Sequence, residues 1–139
     1  MSVPANRMNP RSISAYFYGY SIQFSNTGNG VSATKSVNIQ ADSNFLVQQL
    51  IFMTVATGGA VVATPILLVQ LTDSSSGMTL FDQPQQITTV FGTAQLPFLL
   101  PTPRIFPASS TISATITNNN GAAIDTYLLF SGQKVARLG

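Results

Sequence analysis

Few side chains in this sequence can do covalent or acid–base chemistry: four aspartates (Asp42, Asp73, Asp82, Asp125), two lysines (Lys35, Lys134) and the Ser and Thr hydroxyls. His, Cys, Trp and Glu are absent. A cysteine nucleophile, a histidine base, a His/Cys metal site and a disulfide are therefore excluded. A hydrolytic carboxylate pair would have to bring two of the aspartates together. Asp42 stands in ADSN and Asp73 in TDSSSG, turn contexts in which aspartate bonds its own backbone. Asp82 precedes Gln-Pro, and Asp125 starts the last strand-like run. A Ser–Lys nucleophile has no motif behind it, and Lys134, in SGQKVARLG, reads as a solvated strand end. The DSSSG loop at 73–77 is too poor in carboxylates for an EF-hand. SNTGNG lacks both the spacing and the lysine of a phosphate loop. The expectation is no catalytic residue, no cofactor and no metal.

The 139 residues are 45% apolar and 7% charged, with a mean hydropathy of +0.27. That balance rules out disorder for the bulk of the chain and suffices for one domain's core. Six basic residues against four acids give +2, and the nearest thing to a basic cluster is Arg7 with Arg11. Specific nucleic-acid binding needs a clustered footprint and is not expected. The opening MSVPANRMNPRSIS has no apolar run of the secretory kind, so no signal peptide is expected. Soluble monomers spread about a quarter of their residues as charge. A surface built from Ser, Thr, Asn and Gln suits burial against neighbours instead, which points to a homo-oligomer.

Residues 44–70, NFLVQQLIFMTVATGGAVVATPILLVQ, carry no charge and are long enough to span a bilayer as a helix. Gln48 and Gln49, Gly58 and Gly59, and Pro65 argue against that, as does the abundance of Val, Ile and Thr. Two strands meeting at TGGA as a β-hairpin describe the stretch better, and no membrane partner is expected. No segment holds a helical apolar repeat. Strand-like runs at 15–25, 34–41, 45–56, 61–71, 78–81, 86–91, 98–100, 111–117 and 124–131 alternate with Gly, Pro and Asn turns. TISATIT alternates with period two, and Asn120-Gly121 suits a type I′ turn into the last run. About eight antiparallel strands of this kind make an all-β sandwich or barrel.

Two segments fall outside that body. Residues 1–12 hold Pro4, Pro10, Arg7 and Arg11 and read as an extended N-terminal arm, leaving 13–139 as a single β-sandwich domain. Residues 96–107, LPFLLPTPRIFP, cannot be a central strand because each proline lacks an N–H. They read as a loop that covers the core, or one that meets a partner through Phe98, Arg104 and Phe106. In a strand, Tyr16, Tyr18 and Tyr20 share one face, as at interfaces where a ring supplies apolar area with one polar tip. A carbohydrate site is the second reading of that face.

The run PRIFPASSTISATITNNNGAAIDTYLLFSGQKV (103–135) resembles the C-terminal half of small β-sandwich structural proteins of tailed bacteriophages. These include minor capsid, head-decoration and head-vertex proteins. In them a Pro-rich apolar segment leads into an alternating strand, an Asn-rich turn and a final strand ending in Gly. The resemblance implies a jelly-roll-like sandwich in the virion, a trimer or pentamer on the capsid surface or a vertex. Its partners would be the major capsid protein or other virion proteins, and no catalytic residue is implied. Arg7, Arg11, Tyr16, Tyr18, Tyr20, Phe98, Arg104 and Phe106 are the expected contact residues. The alternative is a carbohydrate- or receptor-binding module of a phage fibre or tail.

Overall fold

Alternation of apolar and polar side chains drives the strands. In Leu67–Asp73 every odd residue is buried, and in Thr111–Asn118 every even one, which is the period of a strand with one face on a core. The computed structural model describes residues 15–136. Their elements are β1 (Ala15–Thr27), β2 (Ser32–Asn38), β3 (Ser43–Ala56), β4 (Leu67–Asp73), β5 (Met78–Thr79) and β6 (Gln85–Gln86). One helical turn, α1 (Ile87–Val90), precedes β7 (Phe98–Phe106), β8 (Thr111–Asn118) and β9 (Ile124–Ala136). The expected arm at 1–12, with Arg7 and Arg11, lies outside the described residues.

All strand pairing is antiparallel: β1 with β9, β2 with β8, β3 with β7, and β4 with both β5 and β6. These are the rungs of one long hairpin with its turn after β4. Two further pairings, β9 with β3 and β8 with β4, roll that hairpin into two sheets. Their orders are β1-β9-β3-β7 and β2-β8-β4-β5, with β6 also on β4. A hairpin rolled this way is a jelly roll. Its core lies between the sheets: Phe24, Phe45, Leu50, Phe106 and Phe130 from one, Leu67, Leu71, Ile112 and Ile116 from the other.

Several local expectations are corrected. The chain from 45 to 71 is not a hairpin between paired strands, because β3 and β4 belong to opposite sheets. Only a tip survives, with the Ala56 N–H on Ala60 O and the Val62 N–H on Thr54 O. Past it the chain crosses over, with Pro65 donating nothing. The run at 86–91 is the turn α1 rather than a strand, with Ile87 buried beneath it. Gly121 has positive φ but Asn120 does not, and the strands that Asn120-Gly121 joins lie in different sheets, so there is no type I′ hairpin. The asparagines clamp loops instead. Buried Asn118 donates to Thr27 O and Ala122 O, and Asn120 Oδ1 accepts from the Ile66 N–H. Finally, 96–107 is mostly the edge strand β7 rather than a loop. It pairs with β3 on one side and breaks register between Arg104 and Leu99, where Pro101 and Pro103 fall. Prolines are tolerated at an edge or a bulge.

A second irregularity shapes the centre of the same sheet. Val47 pairs with Gly132 and Gln49 with Ser131, which leaves Gln48 as an extra residue on β3. The bulge brings the Leu46 carbonyl onto Gly132 where a Cβ would stand, with Gln48 N only 3.1 Å from that point. Both obstructions are backbone and cannot rotate away. Gly132→Ala should therefore cost at least about 2 kcal/mol, read as a lower urea midpoint, whereas an unchanged midpoint would show that the bulge is free to relax.

Candidate functional site

Strand parity sets the fate of the tyrosines. On β1 the even residues continue into Ile22 and Phe24, both buried, so the even face is the core face. Tyr16 begins it exposed, Tyr18 is half-buried, and Tyr20 is 5% exposed with its ring edge-on to Phe45 at 4.7 Å. The tyrosine face is therefore not an outward platform, and the stacked-sugar reading loses its basis. Tyr16 pairs with Lys134 on β9, and Lys134 with Phe45 on β3.

Lys134 is not a solvated strand end, since only 3% of it is exposed. Its Nζ donates to Gln40 Oε1, stands 3.4 Å from Asp42 Oδ1, and lies 4.2 Å from the Tyr18 ring centroid. The Gln40 N–H donates to the Tyr20 hydroxyl at 3.0 Å. Such a box satisfies a buried ammonium with acceptor, counter-charge and π-face at once. Burial pushes the Lys134 pKa down, but the hydrogen bond to Asp42 and the Coulombic pull of Tyr20, Asp42 and Tyr16 outweigh it, and the net shift is upward. An ammonium held protonated is a structural cation, not a nucleophile.

Asp73 closes the opposite corner. Its carboxylate accepts from the Ser75 N–H at 3.0 Å and the Ser75 hydroxyl at 2.6 Å, the self-capping turn expected of TDSSSG. Arg104 Nη2 reaches it from β7 at 3.8 Å, across the two sheets, while its guanidinium lies 5.7 Å from the Phe106 ring centroid. Burial raises the Asp73 pKa, the Ser75 hydrogen bonds and Arg104 lower it, and the net shift is downward. Among the described residues no three of His, Cys, Asp or Glu gather as a metal site would need.

The two outer faces of the sandwich differ in chemistry. On the five-stranded sheet, Ser32 bonds Thr117, Thr34 bonds Thr115 and Ser36 bonds Ser113 across strands, at 2.7, 2.8 and 2.8 Å. Thr111 donates to Asn38 to complete a hydroxyl ladder. On the four-stranded sheet the outward residues are largely apolar: Phe17 (73% exposed), Leu99 (63%), Ile105 (60%), Met53 (47%), and Ile51, Tyr127 and Leu129 between them. A groove of about 680 Å³ crosses this face over Ile51, Met53, Tyr127 and Leu129, walled by 61–63 and 93–95. Lys and Arg are absent from its lining, and so are acids.

Of the expected contact residues, Tyr20 and Phe106 sit in the core and cannot meet a partner. Tyr18 and Phe98 pack against that core half-buried, while Tyr16 and Arg104 keep open surface. The apolar face was missed, although its signal was present. In FLVQQLIFM apolar residues occupy both parities, and an antiparallel strand that is apolar on both faces asks for cover on both.

No protein family matches this chain, and no curated protein does. Two solved structures of infectious bursal disease virus are similar to it in part. One is the VP2 subviral particle, at 15% identity and a TM-score of 0.41, over 86% of this chain and 33% of that chain. The other is the Gx strain, at 17% identity and a TM-score of 0.28, over 90% of this chain and 37% of that chain. This chain thus spans about a third of the length of those it matches. The class of the protein rests on its own strand order, that of an antiparallel jelly-roll β-sandwich.

The two corner charges give opposite pH signatures. The Lys134 pKa is raised above the ordinary 10.5, so its contribution is present below that pH and is lost as pH rises through the folded value. The Asp73 pKa is lowered below 3.8, so its contribution is present above that pH and is lost as pH falls. The urea-midpoint difference between wild type and Lys134→Met should hold from neutral pH to about 10 and then drop. The difference for Asp73→Asn should drop only below about pH 4. Flat differences would contradict both ion pairs.

Proposed function

We propose that this protein is a non-enzymatic structural component of a virion, a minor capsid, decoration or cement protein that binds a capsid shell. The observation that carries the reading is the largely apolar outer face of the four-stranded sheet, crossed by a groove with no charged side chain in its lining. Strands of 13, 14, 13 and 9 residues about 4.8 Å apart span roughly 800 Å², close to one partner's share of a standard protein–protein interface. Exposed apolar side chains gathered on one face in this way mark interaction sites. The groove has no charged side chain, so a partner can cover it permanently with no desolvation of ions there. The hydroxyl ladder on the other sheet stays toward water. Residues 1–12 would reach a neighbouring subunit, with Arg7 and Arg11 meeting acidic groups there.

Particle incorporation tests this reading. Met53→Lys with Tyr127→Lys should leave the sandwich folded, because both side chains point outward, and should reduce incorporation at least tenfold by burying unpaired charge. Deleting residues 1–12 should also keep the fold while weakening incorporation. Wild-type incorporation by the double-lysine variant would remove the apolar face from the contact. Wild-type incorporation by the deletion would remove the arm.

A further inference from the structure

Each sheet ends in two edges, and three of the four are guarded against pairing with another chain. β7 carries Pro101 and Pro103 and a register break. β2 is seven residues long with Lys35 at its middle. β5 and β6 are two residues each. β1 is the least guarded: its one register shift lies at its C-terminal end, between Phe24 and Thr27, and Ala15–Phe24 runs in unbroken register with β9. Its thirteen residues, AYFYGYSIQFSNT, contain no proline and no charge. It pairs only with β9, and among the described residues no other segment hydrogen-bonds to its main chain between Ala15 and Ser25.

We propose that the free edge of β1 is a self-association site, at which a second copy of this chain adds its own β1 in antiparallel register. The proposal deepens the assembly reading above and rests on it. Self-pairing suits this edge because it is neutral, so a two-fold axis brings no like charges together. Antiparallel pairing of identical strands needs that axis to stand normal to the sheet. The two four-stranded sheets then join into one of eight strands, with both apolar faces on the same side. A doubled apolar face is what a shell-binding protein would offer to its shell. The contact is closed, so it yields a dimer instead of the trimer or pentamer that the resemblance implies.

Light scattering at two protein concentrations tests the contact on the full chain. Wild type should weigh twice the chain's 14.7 kDa. Ser21→Lys with Gln23→Lys, at exposed positions on β1, places like charges across the axis and should raise the dimer Kd at least tenfold. Leu99→Lys with Ile105→Lys, on the same face but at the β7 edge, should leave the dimer intact. Amide exchange reads the contact with no substitution: the main chain of β1 should exchange more slowly in the concentrated dimer than on dilution. A trimer or pentamer, or a dimer indifferent to the β1 lysines, overturns the β1 contact while leaving assembly standing. A monomer at both concentrations overturns self-association and leaves shell binding to be judged by incorporation. Equal exchange rates along β1 in dimer and monomer also overturn the proposal.

Discussion

Everything in this fold hangs on β9, which is hydrogen-bonded along its length on both sides, to β1 and to β3. Its inward residues Ile124, Leu128 and Phe130 are buried, and they hold three strands of one sheet against the core. The irregular features cluster around it. The β3 bulge requires Gly132, and two residues later the same strand turns Lys134 into the interior. A lysine there is tolerable only because Tyr18, Gln40 and Asp42 surround its ammonium. The paired strand thus dictates the packing, and the packing dictates which charges are kept.

The sandwich separates its two outer surfaces by chemistry. One is a lattice of hydroxyls bonded to each other, the other a sheet of aliphatic and aromatic side chains with hardly any charge. A chain with only 7% charged residues cannot make both surfaces hydrophilic in the usual way. It uses Ser and Thr where water is met, and apolar residues where a partner is to be met. The corner ion pairs Lys134–Asp42 and Arg104–Asp73 account for four of the ten charges, and these are structural.

Much of the fold was legible in the sequence, since alternation in LLVQLTD and TISATIT reports one buried face directly. Connectivity was not, because adjacent strand-like runs with a glycine turn look like a hairpin whether or not they pair. TGGA joins β3 to β4 across the sandwich, and NNNG does the same for β8 and β9. Proline was read too strictly at 96–107, where the edge position of β7 spares it the missing N–H. The candidate site was harder still. Tyrosine spacing told which residues share a face, but only packing tells which face is inside, and Ile22 and Phe24 settle it for Tyr20. Lys134 gave no signal at all, because a buried lysine depends on partners that are ninety residues away in sequence.

The pairing of Ala15 with Val135 has a consequence for how the protein comes into being. On the ribosome β1 emerges first and β9 last, so the four-stranded sheet has no middle until translation has passed residue 136. Until then β3, apolar on both faces, has neither β9 nor β7 beside it for most of the time it is in solution. The sheet can therefore close only once β9 has been made, through distant contacts that form slowly, and its earlier strands depend until then on protection from one another. A premature stop before Ile124 would remove the spine of the sheet rather than fray a terminus.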